Sequence, residues 1–83
     1  MNIPDKTVIE DRIKFLKEIV EESPDRYELG RVFKAILLIR EGNTSSIIKY
    51  ETTIFKCLCP DMGFRGMCCK HRIEVMLITG LFV

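Results

Sequence analysis

Apolar positions recur at helical intervals near the start of the chain: Ile9, Ile13, Leu16 and Val20 lie three or four residues apart, and Phe15 and Ile19 widen the stripe. The spacing predicts a helix from about Asp5 or Thr7 to Glu22, opened by Thr7 and Glu10 at capping-box separation. Ser23-Pro24-Asp25 is expected to end that helix and begin the next, with Ser23 as N-cap and Pro24 in the first turn, where a missing N–H is harmless. The two form a tight hairpin. The second helix is expected to reach Arg40 or Glu41, with Leu29, Val32, Phe33 and Ile36 on one face and Gly42 supplying the left-handed residue that follows. The run Ile36-Leu37-Leu38-Ile39 is apolar around most of a turn, so it is either buried from several sides or meets another molecule.

Over residues 44–58 the pattern changes. Ile47, Ile48, Tyr50, Thr52, Thr53, Ile54 and Phe55 are β-branched or aromatic, which predicts extended structure. A hairpin there would turn near Glu51-Thr52, where neither Gly nor Asn is present, so one long strand and a short antiparallel sheet are both open. Pro60 stops the ladder, Asp61, Gly63 and Gly66 mark a loop, and a last helix is expected from near Lys70 to just before Gly80, with Ile73, Val75, Met76 and Leu77 partly buried. The expected fold class is α+β: an N-terminal helical hairpin, a short antiparallel sheet or long strand, a loop and a C-terminal helix.

At 83 residues the chain is one domain of a size that often recruits a metal, a disulfide or a partner. Its start lacks a basic segment followed by an apolar stretch and a cleavage site, so the cytoplasm, or the nucleus, is expected, with reduced thiols. The apolar stretch 75–83 is broken by Thr79 and Gly80 and falls far short of the roughly 20 residues of a membrane span. Residues 1–30 carry eight acids and five bases, and residues 31–83 four acids and eight bases. The overall charge of +1 is far from that of an autonomous nucleic-acid binder. The absence of glutamine, with two asparagines and many Ile, Lys, Glu and Arg, leans towards a thermophile.

The chemistry is concentrated in one segment. All four cysteines and the single histidine fall within the fifteen residues 57–71, as Cys57-x-Cys59, a nine-residue loop with two glycines, and Cys69-x-His71. On an extended strand Cys57 and Cys59 project to the same side. Cys69 and His71 cannot both lie inside a helix and converge, because two residues span about 200°; Cys69 is therefore expected in the turn before the last helix and His71 in its first turn. Three thiolates and an imidazole predict one zinc ion, held by Cys57, Cys59, Cys69 and His71. Cys68 in place of Cys69 is an alternative set. Disulfides are a poorer reading, since a Cys-x-Cys bridge is strained and Cys68 and Cys69 are adjacent. Four protein ligands leave no open position, so the ion is expected to be structural. No enzyme is expected: Glu21 and Glu22 sit at a helix end, and no nucleophile–base pair or phosphate-cradling loop is visible.

These residues resemble a SWIM-type zinc finger, a Cys-x-Cys, loop, Cys-x-His pattern. Cys59-Pro60-Asp61, Arg65-Gly66 and Cys69-Lys70-His71 are similar to the family's elements in order, and the upstream helix with Arg31 and Ala35, then Gly42, is similar to how such domains begin. The resemblance covers roughly residues 25–78, and divides the chain into an N-terminal helical extension, 1–24, and a SWIM-like domain, 25–83, folding as one unit. Met62 departs from it, standing where an aromatic is common, and so does Glu74, where a small residue is usual; Glu74 is expected to turn to solvent or to find Arg72 or Lys70. The resemblance implies binding to DNA or protein, and most closely that of small recombination mediators that pair with RecA-type recombinase paralogs.

Two surfaces are candidates for that role. Ile36, Leu37 and Ile39, with Leu81 and Phe82 of the tail, have no evident place in one small core and are expected to dock a protein partner or a second copy of the chain. Lys56, Arg65, Lys70 and Arg72, opposed locally by Asp61, form the candidate contact for a nucleic-acid backbone.

Overall fold

The computed structural model describes residues 3–59 and 69–82. Four helices follow one another: α1 (Lys6–Glu22), α2 (Leu29–Glu41), α3 (Ser45–Lys49) and α4 (Lys70–Thr79). Helix α4 lies at the centre, packed against α1, α2 and α3. Its burial fits that position, for His71 and the whole run from Ile73 to Ile78 are buried, and a helix buried on every side needs neighbours on every side. One core joins Ile9, Ile13, Leu16 and Val20 of α1, Val32, Ala35, Ile36 and Ile39 of α2, Ile47 of α3 and Ile73, Met76 and Leu77 of α4.

The α1 stripe buries the four residues its periodicity singles out, while Phe15 stays half-exposed against the edge of Phe82. Thr7 and Glu10 do not form a capping box: the N-cap is Asp5, without a side-chain bond, and Glu10 instead accepts a forked pair from Arg40 of α2 at 3.0 and 2.7 Å. Arg40 therefore holds the Glu10 carboxyl below its ordinary range. Helix α2 begins later than Ser23-Pro24-Asp25 suggests. Ser23 caps the end of α1, its N–H reaching Ile19 and Val20 carbonyls, and the chain stays non-helical so that Tyr27 can enter the core with its hydroxyl 3.8 Å from Met76 Sδ. Burial of one large ring outweighs local capping preference here. Leu29 and Phe33 face outward, while Val32 and Ile36 are inside. Gly42 ends α2 in the left-handed region at φ 71°, and Gly80 ends α4 likewise at φ 77°.

The expected sheet is absent: no strand occurs among the described residues, so the α+β class is overturned in favour of a helical fold. Residues 45–49 are the short helix α3, started by Asn43, whose Oδ1 accepts from the Ser45 N–H at 3.2 Å and hydroxyl at 2.7 Å. From Tyr50 to Cys59 the backbone is irregular and bonds to itself, with Thr53 N–H on Lys56 O and Leu58 N–H on Tyr50 O. Strand propensity reflects fit to a pleated surface beside another strand. The described part of this chain offers no such partner, and the β-branched residues pack against helices or stay exposed.

Candidate metal centre

Two pieces of backbone meet at the N-terminal end of α4. Cys69 is the N-cap, with extended φ and ψ of −75° and 164°, and its carbonyl starts the helix by accepting from Ile73 N–H at 3.2 Å. His71 follows in the first turn. Opposite them the irregular segment presents Cys57 and Cys59 inward and leaves Leu58 exposed, so the alternation expected of a strand survives without a sheet.

The three sulfurs and an imidazole nitrogen lie within 4.8 Å of one another, and all four residues are buried. Cys57 Sγ is 3.6 Å from His71 Nδ1. A tetrahedral ion with bonds of about 2.0 to 2.3 Å separates its ligand atoms by roughly 3.5 to 3.8 Å, so this spacing suits a single ion. Cys57, Cys59, Cys69 and His71 can thus hold one metal ion. The Tyr50 ring lies 5.2 Å from that of His71, tilted by 34°, and restricts the imidazole's rotation.

Burial and hydrogen bonding act on these thiols in opposite directions. Burial opposes ionisation of Cys57, yet hydrogen bonding from the Thr52 hydroxyl, with further bonds from Cys59 and Cys69, brings its thiol below the ordinary value. Burial pushes Cys69 up to about 12, and the neighbouring Cys59 and Cys57 add to that rise. A buried trio of thiols resists losing several protons unless a positive ion compensates.

Not every candidate residue gathers here. Lys56 is exposed and Lys70 half-buried, while Arg72 directs Nε and Nη2 at the Ile54 carbonyl, 3.0 and 2.8 Å away, and so braces the cysteine segment against α4. Arg65, Met62 and Cys68, the alternative ligand, lie outside the described residues. Of the apolar set, Ile36 and Ile39 are core residues and are withdrawn as docking residues, because α2 turns that face onto α4. Leu37 and Leu81 are exposed, and Phe82 is half-buried beside Phe15. Among the described residues Glu74 finds neither solvent nor a cation. It is 0% exposed, and both carboxylate oxygens lack a hydrogen-bond partner, since its position on the central helix points into the core. Burial raises its pKa to about 7. Thr52 and Tyr50, which touch the cluster, were not singled out by sequence; both sit in a run whose composition signals only extended structure.

The described residues define a small helical protein carrying a buried cluster of three cysteines and one histidine. No family model matches the chain, and neither a curated protein nor a solved structure matches it. None of its described helices is long and apolar enough to cross a membrane.

Proposed function

We propose that the protein is a zinc-binding interaction module of SWIM-like type, in which a structural zinc ion on Cys57, Cys59, Cys69 and His71 shapes a surface that binds another protein. The observation that carries the reading is the buried four-ligand cluster, whose sulfur-rich donor set suits zinc and whose four protein ligands leave no site for a reacting water. By the resemblance of its Cys/His pattern to SWIM domains, the proposed setting is a DNA recombination or repair complex, with a RecA-type recombinase paralog as the candidate partner.

The docking surface is the outer stripe of α2. Leu29, Phe33 and Leu37 recur every four residues and are 59%, 54% and 58% exposed, a row of large apolar side chains on one face. It replaces the buried Ile36 and Ile39 in that role. Affinity capture from the native cell with the wild-type chain and with Leu37→Glu tests the reading. Recovery of a recombinase-type partner by the wild type alone supports it; equal recovery by both, or none by either, contradicts it.

Direct nucleic-acid binding is a second reading, favoured by exposed Lys56 beside Phe55, which is 70% exposed. Arg72, bonded to Ile54 O, contributes less than its charge suggests. Titration of labelled single-stranded DNA at two salt concentrations separates the readings, because phosphate contacts give a steep loss of affinity with salt.

A further inference from the structure

Thr52 stands apart near the cluster because its side chain is buried and polar, and among the described residues its hydroxyl contacts one of the candidate ligands. The residue is 5% exposed and its Oγ1 lies 3.1 Å from Cys57 Sγ. When Cys57 binds an ion as a thiolate it has no proton to give, so the hydroxyl is the donor.

The backbone holds Thr52 to this task. Glu51, just before it, adopts a left-handed φ of 48°, the only positive φ at a non-glycine among the described residues. That reversal ends α3 and swings Thr52 inward, where its N–H donates to Ile47 O at 3.0 Å. On the other side Thr53 Oγ1 accepts from the N–H groups of Phe55 and Lys56, at 3.2 and 3.1 Å, closing a tight loop that returns the chain to Cys57. The five-residue step from Thr52 to Cys57 is therefore fixed at both ends.

We propose that Thr52 is a positioning residue of the metal centre, its hydroxyl donating to the Cys57 sulfur to fix that ligand's direction and offset its charge. The inference rests on the metal-centre reading above. Three thiolates around a divalent ion leave one net negative charge in a buried site, and an O–H dipole aimed at one sulfur counteracts it. Partners of this kind orient ligands and sustain affinity.

Cobalt(II) is the probe, because its thiolate charge-transfer absorption reports electron density on sulfur. Four chains are compared in the full-length protein: wild type, Thr52→Val, Thr52→Ser and Thr52→Ala. Val against Thr and Ala against Ser each delete the hydroxyl at nearly constant shape, so the second pair stands if Thr52→Val fails to fold. Within each pair, loss of the hydroxyl is expected to move the absorption to longer wavelength and weaken cobalt affinity, measured by chelator competition, by about tenfold or more. Thr52→Ser is expected to keep the wild-type band. Equal bands and affinities within both pairs would overturn the role of Thr52 while leaving the metal centre intact. A wild-type chain that takes up no cobalt would overturn both.

Discussion

Glu74 is a buried carboxyl whose cost depends on pH. Its carboxyl ionises near 4.5 in the unfolded chain and near 7 when folded, because burial disfavours the charged form. The folded state thus holds an extra proton between those values. Its contribution is fully present below about pH 4.5, is lost as pH rises through about 7, and amounts to about 3 kcal/mol. Glu74→Gln is expected to remove this dependence: the difference in urea midpoint between variant and wild type should grow from pH 5 to pH 8. Glu74→Leu, which also removes unsatisfied oxygens, should be the more stable of all three at pH 8. The sequence showed that residue 74 was unusual for the pattern it resembled, but not which way it faces. Direction came from the central placement of α4, which no local signal encodes. The Cys57, Cys59, Cys69 and His71 cluster was legible for the opposite reason: soft donors at short spacing satisfy a local geometric rule, and Thr52, whose proposed role depends on a backbone reversal at Glu51, does not.

Elements are held as much by their ends as by their faces. Arg12 of α1 donates Nη1 to the carbonyls of Leu77 and Ile78, at 2.9 and 2.7 Å, capping the C-terminal end of α4 where the helix dipole is negative. Arg12→Ala is expected to lower stability by about 1 to 3 kcal/mol, read from denaturant unfolding of the metal-loaded protein. Gly80→Ala should act at the same place. A Cβ there would meet the Arg12 guanidinium at 2.9 Å on a backbone with φ 77°, so a loss of about 1 to 2 kcal/mol is expected. Helix α1 was readable from its apolar period, and the ends of α2 and α4 from the glycines that follow them, Gly42 and Gly80. The strand over 44–58 was not, because β-branched composition specifies an extended chain only when a neighbouring strand accepts its hydrogen bonds. The start of α2 was missed for a related reason: Pro24 is compatible with a first helical turn, and only the burial of Tyr27 decides against one.

At the scale of the molecule, the core and the candidate metal centre share the central helix, so on the proposed reading folding and metal binding should be one event. Structural zinc sites contribute on the order of 10 to 16 kcal/mol, comparable to or above the roughly 5 to 15 kcal/mol net stability of a domain. Chelation is expected to abolish the cooperative thermal transition followed by circular dichroism, and added zinc to restore it. The two faces of α2 should separate in the same assay: Ile36→Glu buries a charge in the core and should prevent folding, whereas Leu37→Glu should leave the transition intact. The central claim is that Cys57, Cys59, Cys69 and His71 hold one zinc ion. Native mass spectrometry of protein purified without chelator tests it most directly. The account predicts one zinc per wild-type chain and strong depletion in Cys69→Ser; a zinc-free wild type with reduced thiols, or full retention in Cys69→Ser, would contradict it.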